Sequence, residues 1–219
     1  MRPEDNAVDG IKKATELTSN ALTPILTRPT RTMNPEHAQQ ILDTADLICD
    51  AETVNEAIHQ LAIRITADYQ HRFPLMLTVM NGGMMFAGQL LLQLNFPLQC
   101  DHIHVSRYRM NTKGGQLEWL SMPSVSISGQ QVLLLDDILD EGHTLNAIKQ
   151  ELFKMGAATV ACAVLTEKLT NTIKPIQAEY VGLTLPNRFV FGCGMDINGV
   201  WRNLPAIYAI PQDNTQTDH

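Results

Sequence analysis

The spacing of apolar residues changes near Pro74, and this change divides the chain into a helical part and an alternating part. Before Pro74, apolar residues recur every three or four positions, which predicts helices over about 35–48 and about 53–69. Thr53 and Glu56 have the spacing of a capping box, and we therefore place the start of the second helix at Thr53. This part of the chain is thus predicted to consist of two helices.

After Pro74, short apolar runs alternate with helical patterns. The segments are strands 75–80, 100–106, 132–136 and 159–165, helices 84–94 and 144–155, and a hairpin arm over 117–122. Such alternation is typical of parallel sheets, so the predicted fold is α/β, with a doubly wound, mainly parallel sheet flanked by helices. Because residues 132–135 are all apolar, we expect their strand to be buried on both faces of the sheet.

Composition and charge restrict the functions that this chain can have. Hydrophobic residues make up 44% of the 219 positions and charged residues 18%, which is typical of a globular enzyme and not of a disordered chain. The net charge of −7, from 16 basic and 23 acidic residues, argues against binding to a nucleic-acid backbone. No apolar run is long enough to span a bilayer and no signal peptide is visible, so we expect a cytoplasmic protein. The four cysteines form no C-x-x-C pair, which argues against a zinc site.

The segment 132–144 contains the most informative chemistry of the sequence. An apolar strand ends in Asp136 and Asp137, two apolar residues and Asp140 follow, and a Gly-containing loop leads to Thr144 at the start of a helix. Ligands of open parallel sheets bind beyond the carboxyl ends of the strands, and a helix N-terminus offers free N–H groups to a phosphate. Paired carboxylates can accept hydrogen bonds from a vicinal diol or bind a hard cation. The segment therefore predicts a sugar-phosphate site, in which Thr144 caps the helix and donates its hydroxyl to the phosphate.

This segment resembles the PRPP-binding signature of the type I phosphoribosyltransferases, PRPP being 5-phosphoribosyl 1-pyrophosphate. The resemblance implies that Asp136 and Asp137 contact the ribose hydroxyls and bind Mg²⁺, and that Asp140 is the general base at N7 of a purine. It assigns the 5-phosphate to the loop residues Glu141, Gly142, His143 and Thr144.

Two further segments resemble the parts of these enzymes that bind pyrophosphate. Gly82 and Gly83 follow the first core strand at the place of the family's pyrophosphate loop, and Arg202 is implied to contact pyrophosphate as well. Ser106 and Tyr108 are similar to the pair that opens the family's mobile lid loop, although Arg107 stands between them here. In a separate segment, Asp196 is implied to bind a second magnesium ion.

The order of residues after position 168 resembles the purine-binding hood of the hypoxanthine-guanine branch. The resemblance implies that Lys168 donates to O6 of the purine, that Phe189 stacks on its ring, and that the carbonyl of Val190 accepts from purine N–H groups. A lysine donor at O6 favours 6-oxopurines over adenine, which has a donor amino group at that position. The predicted hood lobe comprises the N-terminal helices and residues from about 168 to 210.

The domain organisation that follows is an N-terminal extension over 1–33, a phosphoribosyltransferase domain over 34–210 and a C-terminal tail over 211–219. The resemblance implies an Mg²⁺-dependent enzyme of purine salvage that converts PRPP and hypoxanthine or guanine to IMP or GMP. We expect small-molecule substrates, no nucleic acid or membrane partner, and a homodimer or homotetramer. Two alternatives remain open: a phosphoribosyltransferase that prefers xanthine, and a nucleotide-binding transcriptional regulator with the same fold. A regulator should have a basic face, which the acidic composition does not favour.

Overall fold

A six-stranded sheet forms the centre of the computed structural model, which describes residues 33–107 and 117–212. The elements in chain order are α1 (Pro35–Thr44), β1 (Asp46–Cys49), α2 (Ala51–Tyr69), β2 (Leu75–Met80), α3 (Gly83–Leu91), β3 (Gln99–Arg107), β4 (Leu117–Ser121), β5 (Gln131–Leu139), α4 (His143–Lys154), β6 (Thr159–Lys168), β7 (Tyr180–Leu185), β8 (Val190–Phe191) and β9 (Ile207–Ala209). None of these helices is long and apolar enough to cross a membrane. The predictions for residues 1–32, for Tyr108 and for residues 213–219 lie outside the described residues.

The strand order of the large sheet is β4-β3-β2-β5-β6-β7, and only β4 runs antiparallel to its neighbour. This arrangement confirms the predicted doubly wound, mainly parallel sheet. Side chains of β5 alternate between two buried clusters: Leu133 and Leu135 pack towards α2 and α3, whereas Val132 and Leu134 pack towards α4. The central strand is therefore buried on both faces, as its apolar composition predicts.

A second, three-stranded antiparallel sheet has the order β1-β9-β8. It contains the two strands that flank Arg202, and the indole N–H of Trp201 donates to the carbonyl of Ala38 in α1 at 2.8 Å. We call β1, β8, β9 and the segment 192–206 between β8 and β9 the hood. Val190, Cys193 and Ile207 of the hood join the buried cluster on the α2 and α3 face of the large sheet. The hood is thus packed directly on the central fold.

Two predictions for the helical part of the chain were wrong in detail. The first helix ends at Thr44, and Asp46–Cys49 is a strand, because Leu47 pairs with Tyr208 far along the chain and this partner is invisible to local spacing. The second helix begins at Ala51 rather than at Thr53, because the carboxylate of Asp50 caps it by accepting from the Thr53 N–H at 2.8 Å. An acid directly before the helix is a strong N-cap, and it precedes the capping-box motif in the chain.

Candidate active site

Two adjacent acids lie near the carboxyl end of β5, within the strand rather than after it. The backbone N–H of Asp137 donates to the carboxylate of Asp136 at 3.0 Å, and the carbonyl of Asp137 accepts from the hydroxyl of Thr166 at 2.9 Å. Asp137 is only 7% exposed and Thr166 is fully buried. The hydroxyl of Thr166 on β6 therefore holds the backbone that carries the acid pair.

Burial and mutual repulsion make full ionisation of this pair unfavourable. Burial raises the pKa of Asp136 well above its usual range, and the neighbouring charge of Asp137 raises it further. Burial also raises the pKa of Asp137, although a hydrogen bond with Asp136 and the charge of Arg202 act in the opposite direction. A pair that resists carrying two negative charges is a pair that a bound cation would stabilise.

The donor set of the acid pair suits Mg²⁺. Carboxylate oxygens are the hard ligands that Mg²⁺ prefers, and this ion is commonly bound by one or two carboxylates together with substrate phosphates and waters. Within residues 33–107 and 117–212, no group of three His, Cys, Asp or Glu side chains is placed to hold a metal ion by itself. The pair therefore fits a magnesium ion that binds together with a phosphorylated substrate.

Replacing Asp136 with Asn should stabilise the ligand-free protein, and more so at about pH 7.5 than at about pH 5. The pKa of Asp136 is raised in the folded state, so its ionised form destabilises the fold. This penalty is absent below the pKa of the unfolded chain and grows as the pH rises towards the folded pKa. Urea unfolding at both pH values measures the difference, with the exposed Asp43→Asn on α1 as the control. A gain that is equal at both pH values would contradict the prediction.

Beyond the acid pair, the ends of β5 and β6 bring a lysine and a carboxylate together. The ammonium of Lys168 donates to the carboxylate of Asp140 at 2.6 Å. Leu139 pairs with Glu167 at the end of the parallel ladder, so the residues that follow them, Asp140 and Lys168, lie opposite each other. The Lys168 side chain is 11% exposed and that of Asp140 is 46% exposed. A hydrogen-bond donor and a potential proton acceptor thus stand side by side at the carboxyl edge of the sheet.

The loop from Asp140 to Thr144 encloses a cavity of about 250 Å³, lined by residues 136–142, 144 and 145. Gly142 has φ = 81° and occupies the N-cap position of α4, where its carbonyl accepts from the Asn146 N–H at 3.0 Å. The prediction that Thr144 caps this helix was therefore wrong, because the helix begins at His143 and Thr144 is its second residue. Glu141 and His143 are exposed, and of the two Glu141 lines the cavity. The cavity is lined by Thr144 and Leu145 in the first turn of α4, and the N-terminus of a helix favours an anion.

Three glycines allow close approach between the predicted pyrophosphate loop, β5 and the hood. A Cβ built on Gly82 would lie 2.2 Å from the carboxylate of Asp137, and one on Gly83 would lie 2.5 Å from the carbonyl oxygen of Leu135. A Cβ on Gly194 of the hood would lie 2.2 Å from the carbonyl oxygen of Gly82. A larger residue at Gly83 or Gly194 would require movement of the backbone, and one at Gly82 would displace the Asp137 carboxylate, so glycine allows the three segments to meet.

Arg202 and Asp196, the two charged residues of the hood with predicted roles, form an ion pair. The guanidinium of Arg202 also donates to the Gly194 carbonyl at 2.5 Å, and the Gly194 N–H donates to the Arg202 carbonyl at 2.9 Å. The carboxylate of Asp196 accepts a further hydrogen bond from the Gly199 N–H at 2.7 Å. Because Gly194 packs on Gly82, this network places the Arg202 backbone beside the predicted pyrophosphate loop.

The remaining predicted residues lie in the hood, directly before β8 and on β3. Phe189 is 53% exposed immediately before β8, while Val190 is buried in that strand. Arg188 anchors this corner, since its guanidinium donates to the Asp46 carboxylate at 2.5 Å and to the Ile210 carbonyl at 2.7 Å. Ser106 lies in β3, in the part of the strand that pairs with β4. An exposed aromatic ring on an anchored strand is available to stack on a planar ligand.

Residues 45–198 match the family model of the phosphoribosyl transferase domain. This match covers more than half of the chain, including the acid pair, the loop around Gly142 and both glycines after β2. The chain belongs to the phosphoribosyl transferase family.

Individual relatives and solved structures agree with this membership. The chain is 31% identical over 162 residues to the hypoxanthine-guanine phosphoribosyltransferase of Lactococcus lactis, covering 74% of this chain and 88% of that protein. It is 32% identical over 166 residues to the bifunctional protein TilS/HprT of Listeria innocua, covering 75% of this chain but only 26% of that protein. The crystal structure of a hypoxanthine phosphoribosyltransferase from Staphylococcus aureus superposes with a TM-score of 0.74 at 27% identity, over 78% of this chain and 95% of that one.

Three residues of this phosphoribosyl transferase domain support the site but were not identified from the sequence. They are Thr166, which holds the Asp137 carbonyl, Gly194, which packs on Gly82, and Lys174, whose ammonium contacts the ends of β5 and β6. Gly194 had a visible signal, because two glycines separated by one residue precede Met195. Thr166 and Lys174 had none, since a threonine or lysine after a strand is common in surface loops.

Proposed function

We propose that this chain transfers the 5-phosphoribosyl group of PRPP to N9 of hypoxanthine or guanine, giving IMP or GMP and pyrophosphate. The observation that carries the proposal is the contact of Lys168 with Asp140 at 2.6 Å, next to the cavity inside the loop that resembles a PRPP-binding signature. A purine needs a donor at O6 and an acceptor near N7, and these two side chains offer both at one edge of the sheet. The names of the relatives described above support the same substrate class.

The chemistry follows from the properties of these side chains. As the bond from N9 to C1′ forms, the bond from C1′ to the pyrophosphate oxygen breaks and the leaving group takes the electron pair. Asp140, as a carboxylate, accepts the proton from N7, and Lys168 donates to O6 and orients the ring. Phe189 is exposed next to the anchored strand β8 and stacks on one face of the base.

The phosphate groups of PRPP would be bound by backbone donors and by one guanidinium. The loop from Glu141 to Thr144 leads into the N-terminus of α4, which suits the 5-phosphate because the N–H groups of a helix's first turn and the helix dipole favour an anion. Gly82 and Gly83 at the start of α3 suit the pyrophosphate for the same reason. Arg202 lies next to this loop through Gly194 and supplies the positive charge that two glycines lack.

Mg²⁺ is the cofactor that we propose for this site. Asp136 and Asp137 would bind it with the ribose and pyrophosphate oxygens, and Asp196 would bind a second ion once Arg202 turns from it to pyrophosphate. The bound ion would neutralise the charge that develops on the leaving group. The protein contributes one half-buried and one buried carboxylate, and the raised pKa values of both show that a nearby positive charge would stabilise their ionised forms.

A steady-state assay with PRPP and Mg²⁺ tests this function, with hypoxanthine, guanine, xanthine and adenine offered separately. We expect turnover of hypoxanthine and guanine, no turnover of adenine, and complete loss of activity with excess EDTA that Mg²⁺ restores. A preference for xanthine would support the proposed phosphoribosyl site but contradict the proposal that the base is hypoxanthine or guanine. Measurable binding of PRPP or nucleotides without turnover of any base would contradict the proposal and favour the regulatory alternative.

A further inference from the structure

Lys174, in the segment between β6 and β7, has a side chain that is only 11% exposed. Its ammonium contacts three acceptors: the Leu139 carbonyl at 3.1 Å, the Lys168 carbonyl at 2.6 Å and the Glu167 carboxylate at 3.0 Å. A lysine ammonium has three N–H donors, and each of them therefore has a partner within the protein. This side chain has no donor left for a substrate.

The positions of the two carbonyls explain what this ammonium does. Leu139 is the last residue of β5 and Lys168 is the last residue of β6, where the ladder of hydrogen bonds between these parallel strands ends. One ammonium bridges the two strand ends and takes the place of the next ladder bond. One of these strand ends, Leu139, directly precedes Asp140, and the other is Lys168 itself.

The residues that follow Lys174 contact the other half of the site. A Cβ built on Gly142 would lie 2.9 Å from Cγ2 of Ile176 and 3.5 Å from Cδ of Pro175. Ile176 is buried in the cluster beneath α4. The segment 174–176 thus supports both the lysine–carboxylate pair and the left-handed turn at the start of α4.

We propose that Lys174 is a positioning residue that holds Asp140 and Lys168 in register for the purine. The inference rests on the proposed function, because it concerns the same pair. Removing the ammonium would leave two strand-end carbonyls and the Glu167 carboxylate without their donor, and the ends of β5 and β6 would separate. The alignment of Asp140 with Lys168 serves the proton transfer to Asp140, so its effect on kcat should disappear when Asp140 can no longer accept a proton.

A double-mutant cycle measures this dependence. We expect Lys174→Met to lower kcat for hypoxanthine by about 10- to 100-fold, which is the scale of a misplacement of about 1 Å, and to change the KM for PRPP by less than about threefold. In an Asp140→Asn background, the same substitution should lower kcat by less than about twofold. The matched control is Lys154→Met on α4, where a 71%-exposed lysine pairs with Glu151 in the preceding turn, and its kcat should equal that of the wild type.

Lys174→Arg provides a second variant if the methionine variant does not fold. A planar guanidinium keeps the charge but cannot direct three donors from a single atom, so we expect an intermediate loss of kcat that Asp140→Asn also removes. Equal fold-losses of kcat in the wild-type and Asp140→Asn backgrounds would overturn the inference, as would an unchanged kcat in Lys174→Met.

A separate measurement distinguishes failure of the inference from failure of the proposed function. If the wild-type chain turns over no base, the proposed function fails. Crystal structures of the wild type and Lys174→Met then test the positioning role of Lys174 without an activity assay. The inference requires that the contact between Lys168 Nζ and Asp140 Oδ2 is lost in the variant. A contact retained at its wild-type length overturns it.

Discussion

Replacing Asp140 with Asn is expected to lower kcat for hypoxanthine by about 10²- to 10⁴-fold, the usual contribution of a general base. The amide has the shape of the carboxylate and its oxygen can still accept the hydrogen bond from Lys168, which is 2.6 Å long in the parent protein. The substitution therefore removes the ability to take a proton while it leaves the local geometry in place. The KM for PRPP should stay within about threefold of the wild type, because the phosphate contacts that we propose come from backbone N–H groups and Arg202 rather than from Asp140.

Steady-state kinetics with hypoxanthine and PRPP varied in turn give both constants for the Asp140→Asn variant. The control is Asp43→Asn, the same chemical change on an exposed acid of α1, which should leave both constants unchanged. If kcat of Asp140→Asn equals that of the wild type, Asp140 is not the base. If kcat and PRPP affinity fall together, its main contribution is to the sugar-phosphate loop.

Replacing Gly194 with Ala is expected to destabilise the fold by about 2–4 kcal/mol and to lower kcat/KM for PRPP by more than about 10-fold. The residue has φ = +105°, a conformation that strains any L side chain. Its new Cβ would meet the Gly82 carbonyl at 2.2 Å and the Cβ of Asp137 at 3.0 Å. Both neighbours belong to main-chain segments of the site, so relief of the clash must displace the pyrophosphate loop or the acid pair.

A matched glycine separates the steric effect from the backbone strain. Gly129 has φ = +77° and a Cβ added there would meet nothing within 4 Å, so Gly129→Ala should cost only the conformational strain of about 1–2 kcal/mol and leave kcat/KM unchanged. Urea unfolding gives the stability of both variants, and kinetics with varied PRPP gives the functional effect. Equal results for the two substitutions would show that the contact between Gly194 and Gly82 is unimportant.

The sequence predicted well those features that depend on residues close together in the chain. The apolar run before Asp136 predicted a central strand, and its side chains are buried on both faces. The loop around Gly142 was predicted from its position between a strand and a helix, and it does enclose a cavity. In contrast, residues 46–48 were predicted as the end of a helix, because the strand Asp46–Cys49 depends on pairing with β9.

The sequence by itself determined the fold class, because strand and helix periodicity are local properties of the chain. The order of acids and glycines, with the family resemblance that it supports, provided the list of candidate residues. Only the tertiary structure decided which candidates meet. The contact of Lys168 with Asp140 follows from the register of β5 and β6, and the contact of Gly194 with Gly82 follows from packing of the hood. Lys174 shows the same limit, since its three partners come from two strand ends that no local pattern relates. Register and packing are set by hydrogen bonds and burial between distant segments, and these interactions exist only in the folded chain.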